Sequence, residues 1–153
     1  MTQDAPHEFT IRSFCRDRLG LSDDACDWLI MLWQAIQHFD DVTDGDKISR
    51  DDGVMIGWNT LVAMPGNVFF QRNSAVLLPA MALQFAKWKA SDDAEREGAA
   101  CATSFVWRAG YYDMILLAVQ CEKGGTAALE IGQHVLALYG EDFAAYMKEM
   151  NHA

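Results

Sequence analysis

Apolar residues recur at intervals of three and four along most of the chain, which is the spacing of one face of an α-helix. No stretch alternates apolar and polar residues as a strand does. The strongest pattern covers residues 23–43, where apolar side chains occupy most of the helical circumference: Trp28, Leu29, Ile30, Met31, Leu32, Trp33, Ile36 and Phe39. A helix that is apolar on so many sides belongs in a core. We therefore predict an all-α bundle of five to seven helices around this central helix.

Signals for helix ends set the other boundaries. Ser22 is the expected N-cap of the central helix. Ser49 and Asp52 have the spacing of a capping box, so a helix is expected over about residues 50–63. Further helices are expected over about residues 6–19, 74–90 and 92–122, and from about residue 126 with a kink or split at Gly140. At 153 residues the chain can bury a sizeable core, so residues 1–153 are predicted to form a single domain.

Charge and cysteine usage restrict the expected partners and location. The chain has 12 Lys plus Arg against 22 Asp plus Glu, a net charge of −10, and its basic residues are scattered. Because phosphate backbones and anionic lipids attract basic surfaces, we expect no nucleic-acid partner and no membrane binding. Residues 1–12 lack the basic start and apolar run of a signal peptide, and the four cysteines lack a paired spacing. A cytoplasmic location with reduced thiols is therefore expected.

Acidic residues crowd the expected end of the central helix. Asp40, Asp41, Asp44 and Asp46 lie where the helix dipole disfavours negative charge by about 0.3–1 kcal/mol for each acid. Asp40 and Asp44 share a helix face, and hard cations such as Mg²⁺ prefer carboxylate oxygens. We predict a divalent-cation site at Asp40, Asp41 and Asp44, with Asp46 as a weaker ligand. The alternative is an acidic helix end that is solvated and offset by basic neighbours.

The same segment resembles a known enzyme motif. The run Asp40-Asp41-Val42-Thr43-Asp44, followed by Arg50 and Gly53, looks like the first aspartate-rich motif of all-α isoprenoid diphosphate synthases. That resemblance implies a Mg²⁺-dependent enzyme that acts on a diphosphate. The chain has no second D-D-x-x-D run, which those enzymes carry on a facing helix.

A broader resemblance covers most of the chain. Residues 28–46, the segment Met64-Pro65-Gly66-Asn67-Val68-Phe69-Phe70 and residues 108–113 look like small helical proteins encoded in bacterial prophages. Since that group has no established activity, the resemblance implies a phage-associated, cytoplasmic origin and assigns no catalytic residue.

Two charged residues lie in the least charged part of the predicted helix 92–122. Arg108 and Asp113 are about 140° apart on a helix, so each is expected to find a partner on another helix, as an ion pair or a bond to an Asn. A functional alternative is that Arg108, bordered by Tyr111 and Tyr112, contacts a small anionic ligand held by a cation at Asp40 and Asp44.

An interaction role is the other class of function that the sequence supports. Aromatic and methionine residues around Trp58, Met64, Phe69 and Phe70 are expected to form a surface for a protein partner or for a second copy of the chain. The sequence leaves open whether the protein is an enzyme.

Overall fold

The computed structural model of the protein describes residues 8–140 and 142–151, and every regular element within these ranges is a helix. The predicted all-α class is confirmed. The α-helices are α1 (Glu8–Ser13), α2 (Asp23–Asp44), α3 (Arg50–Trp58), α4 (Met64–Gly66), α5 (Val68–Arg96), α6 (Ala102–Trp107), α7 (Gly110–Lys123), α8 (Gly125–Leu136) and α9 (Phe143–Met150). Two π-helical segments, Phe14–Arg18 and Asn59–Ala63, follow α1 and α3.

The described residues fall into two compact units. The N-terminal unit is Thr10–Ser74, and the C-terminal unit is formed mainly by Ala75–Ala153. In the described part of the chain, none of the helices has the combined length and apolar character needed to cross a bilayer.

Helix α2 supplies much of the core of the N-terminal unit and confirms the predicted central helix. The Ser22 Oγ accepts a hydrogen bond from the Ala25 N–H at 3.2 Å, which caps the first turn. The indole of Trp28 packs against the rings of Phe69 and Phe70, each at a centroid distance of 5.8 Å. Other buried apolar residues of this unit are Ile11, Cys15, Leu19, Leu21, Ala25, Cys26, Leu29, Ile30, Leu32 and Met64.

Helix α3 returns along α2 after a short loop. The Ser49 Oγ accepts from the Asp52 N–H at 3.1 Å and donates to the Asp52 carboxylate at 2.6 Å, so the predicted cap is present. The Asn59 side chain donates to Gln34 Oε1 at 3.1 Å and thereby joins the end of α3 to the middle of α2. This bond lies on the side of α3 that faces α2.

Several predicted boundaries are wrong. Helix α5 begins at Val68, because Asn67 Oδ1 accepts from the Phe70 N–H at 3.0 Å and caps the helix seven residues before the predicted cap Ser74. The predicted break between residues 90 and 92 is absent, since α5 continues to Arg96, and the predicted helix 92–122 is interrupted after that residue. Gly98 has a φ of 70°, which ends α5, and α6 and α7 follow as separate helices.

The C-terminal unit packs α7 and α8 side by side, with Gly124 between them at a φ of 88°. Helix α7 begins at Gly110, where a methyl group would overlap the Gln84 side chain and lie 2.9 Å from its Cβ. Only glycine allows this close approach of α7 to α5. The buried apolar residues of this unit are Leu77, Phe105, Tyr111, Met114, Ile115, Ala118, Val119, Val135 and Tyr146.

Candidate functional site

The acidic cluster lies at the end of α2, as predicted. Gly45, at a φ of 81°, donates its N–H to the carbonyls of Asp41 and Val42, and the Asp46 N–H donates to the Asp41 carbonyl at 2.9 Å. The Asp41 and Val42 carbonyls are therefore satisfied by the backbone of the following turn. This left-handed glycine cap ends the helix.

The side chains of the cluster differ in their exposure to solvent. Asp40 is half-buried, whereas Asp41, Asp44 and Asp46 are exposed. Across residues 8–140 and 142–151, no three His, Cys, Asp or Glu side chains are grouped so that they could hold a metal ion. The divalent-cation site at Asp40, Asp41 and Asp44 gains no support from this geometry and stays a prediction.

Arg108 is part of a polar network in the C-terminal unit. Its Nη1 lies 3.5 Å from Glu95 Oε1 on α5, and its guanidinium lies 5.6 Å from the centre of the Tyr146 ring on α9. The Tyr146 hydroxyl donates to the same Glu95 oxygen at 2.8 Å and lies 2.8 Å from Ser104 Oγ. The buried Ser91 hydroxyl donates to the Ser104 carbonyl at 2.6 Å. The interhelical ion pair predicted for Arg108 is confirmed, and its partner is Glu95.

This network has a structural role, since its hydrogen bonds join α5, α6 and α9. Burial raises the pKa of Tyr146 to about 12, and the adjacent Glu95 carboxylate acts in the same direction. At neutral pH the phenol therefore keeps its proton and donates a hydrogen bond to Glu95. This bond joins α9 to α5.

The tyrosines expected to border a ligand beside Arg108 have packing roles. Tyr111 is buried, and the half-buried Tyr112 places its ring 4.6 Å from that of Tyr139 and donates its hydroxyl to the Leu138 carbonyl at 3.3 Å. Asp113 pairs with Lys87 at 3.1 Å, which confirms the second predicted interhelical ion pair. Arg108 and the acidic cluster belong to different units, so their joint use of a ligand stays a prediction.

Helix α3 and the π-helical segment after it show an inverted pattern of exposure. The half-buried side contains Ile56, Asn59, Thr60 and Ala63, two of which are polar. The opposite side exposes five large apolar side chains, and we name it the α3 face: Val54, Met55, Trp58, Leu61 and Val62. Folding alone favours the reverse arrangement, with the apolar side buried. Such a local departure from the folding pattern is expected where a protein has a function to perform.

The aromatic surface expected from the sequence is partly wrong. Trp58 is exposed as predicted, but Phe69 and Met64 are buried and Phe70 stacks on Trp28. The sequence contained a signal for the observed face, since its five apolar residues repeat at three and four positions after the Ser49 cap. That spacing predicts an apolar stripe but not the direction in which it points.

Comparison with protein-family models, with curated proteins and with solved structures found no match to this chain. The resemblances to isoprenoid diphosphate synthases and to prophage-encoded helical proteins therefore stay predictions.

Proposed function

We propose that this chain is a binding protein whose α3 face holds an amphipathic helix from another protein. The observation that carries the proposal is the inverted exposure of α3, with Asn59 turned towards Gln34 and Trp58 turned outward. An exposed apolar stripe lowers the solubility of the free chain and contributes nothing to its stability. A partner that covers it would recover the free energy of burying that surface.

The shape of the face suits a helix. Its residues occupy one side of about two helical turns, so the stripe from Val54 to Val62 is about 12 Å long. Ridges of this kind pack into the grooves of a second helix. Trp58 and Met55 are residue types enriched at interfaces, since an indole buries a large area and a thioether adapts to irregular surfaces.

The partner is proposed to be a different protein because of charge. The chain carries a net charge of −10, and the acidic end of α2 lies next to the start of α3. Two copies that associate would each carry this net charge, which opposes their association. The Arg108 site supports an enzyme less well, because Glu95 already provides the anionic partner of that guanidinium.

The test uses a neutral probe and two matched variants. The probe is a fluorescently labelled helical peptide of about five turns, with a Leu stripe and Gln at the other positions. Leu61 and Leu129 are 79% and 86% exposed on helices of different units, so serine at either position should leave stability unchanged. We expect Leu61→Ser to weaken binding about tenfold or more, and Leu129→Ser to leave it unchanged.

Equal binding by the two variants would contradict the proposal. The mass in solution is measured on the same samples by sedimentation equilibrium. The chain could instead form a dimer that is lost in Leu61→Ser and kept in Leu129→Ser. That result would show that a second copy of the chain covers the face, and it would contradict the proposal of a different protein as the partner.

A further inference from the structure

We infer that the helix bound on the α3 face carries lysine and arginine at one of its ends and an uncharged apolar stripe at the other. This inference rests on the proposed function, since it names the partner of the same face. It comes from the distribution of charge along the hairpin of α2 and α3.

Negative charge is concentrated at the Val54 end of the face. Residues 40–52 contain six Asp against one Lys and one Arg. Asp51 lies three residues before Val54 and four before Met55, so it stands on the same helical stripe one turn earlier. The exposed Asp41, Asp44 and Asp46 belong to the end of α2 and the loop that leads into α3.

The other end of the face is uncharged. Residues 53–71 contain no Asp, Glu, Lys or Arg, so no charged side chain of this segment accompanies Trp58, Leu61 or Val62. The Asn59–Gln34 bond joins this end to the middle of α2, and Gln34 lies six residues before Asp40. Along residues 40–71 the charge of the chain therefore passes from strongly acidic to neutral.

A partner must complement both ends. Cationic side chains at the acidic end would gain Coulomb energy and counterbalance the unfavourable carboxylates at the end of α2. Apolar side chains without charge would cover Trp58 and Leu61 without burying an unpaired ion. Complementarity of this kind selects the partner and fixes its orientation more than it adds affinity.

The experiment extends the peptide series with the full chain. Three peptides share the Leu stripe. The first has Lys in place of Gln outside the stripe in its first two turns, and the second has Glu at the same positions. The third is the unchanged neutral probe. We expect the Lys peptide to bind at least about tenfold more tightly than the Glu peptide at about 20 mM salt, and the difference to shrink at about 500 mM salt as screening increases.

Two triple variants locate the charge that matters. Asp41→Asn, Asp46→Asn and Asp51→Asn together remove three negative charges from residues 40–52, and we expect this variant to lose most of the preference for Lys. Glu97→Gln, Glu130→Gln and Glu149→Gln remove the same charge from exposed positions in the C-terminal unit, and should keep the preference.

The outcomes separate the two proposals. Equal affinity for the Lys and Glu peptides, with neutral-peptide binding that still depends on Leu61, would overturn the inference and leave the proposed function in place. Loss of the preference in both triple variants would mean that overall charge causes it, and would also overturn the inference. A failure of all three peptides to bind would overturn both.

Discussion

Trp28 and Trp58 lie in the same unit on neighbouring helices, and their surroundings are opposite. Trp28 is 0% exposed and packs between Phe69 and Phe70, whereas Trp58 is 59% exposed on the outer side of α3. Both residues belong to apolar stripes with helical spacing. The difference teaches that hydrophobic periodicity identifies a stripe, and that the polar residues opposite the stripe decide which side faces the core.

The first test of this comparison has the largest expected effect. Trp28→Ala should lower the free energy of unfolding by about 3–5 kcal/mol, because it leaves a cavity beside two aromatic rings. Trp58→Ala should change it by about 0.5 kcal/mol or less, since the side chain is already in solvent. Urea unfolding measures both values. Similar losses for the two variants would show that Trp58 contributes to the core and would remove the basis of the α3 face.

The polar network extends the comparison to the C-terminal unit. Tyr146→Phe should lower the free energy of unfolding by about 1–2 kcal/mol, because it removes a 2.8 Å hydrogen bond to Glu95 in a buried setting. Tyr112→Phe is the matched control, since its hydroxyl bond to the Leu138 carbonyl is longer, at 3.3 Å. The same urea titration compares them. A loss in Tyr112→Phe as large as that in Tyr146→Phe would count against a specific role for Glu95.

The smallest expected effect on stability concerns two thiols and depends on pH. Burial raises the pKa of Cys15 from 9.0 to about 12, whereas backbone hydrogen bonds from Ser104 and Thr103 lower the pKa of the exposed Cys101. Because the folded state keeps the Cys15 proton that the unfolded state loses, the stability from this group is present below pH 9 and is lost as pH rises towards about 12.

The measurement for this prediction is unfolding at several alkaline pH values. Cys15→Ala should flatten the fall in stability between about pH 9 and 12, and Cys101→Ala should leave it unchanged. A thiol reagent should modify Cys101 in the folded protein and Cys15 only after unfolding. Rapid modification of Cys15 under native conditions would contradict the buried placement.

The sequence predicted the helical class and the extent of α2 well because Ser22, Ser49 and the apolar spacing are local signals. Two local signals were missed: the cap by Asn67, which bonds the Phe70 N–H three residues later, and the break at Gly98, which has a positive φ. The partner of Arg108 could not be predicted because its contact with Glu95 depends on how separate segments pack.

The candidate site was predicted only in part for the same reason. Trp58 was identified by its residue type, but Phe69 could not be assigned to the core without knowing that Trp28 lies against it. Val54 and Leu61 lie opposite the bond between Asn59 and Gln34, which joins residues 25 positions apart. Periodicity carries no information about such a bond.

The π-helical segment Asn59–Ala63 determines which insertions and deletions this region can tolerate. A π-helical turn takes about one residue more than an α-helical turn, and each residue in an α-helix turns the chain by about 100°. Deleting one residue here would let the segment wind as an α-helix, and the residues that follow would keep their orientation because only the extra residue of the wider turn is lost. Met64 and Phe69 would then keep the places they fill beside α2. Inserting a residue into an α-helical part of this stretch would instead rotate them by about 100°, so the segment should tolerate a one-residue deletion better than an insertion.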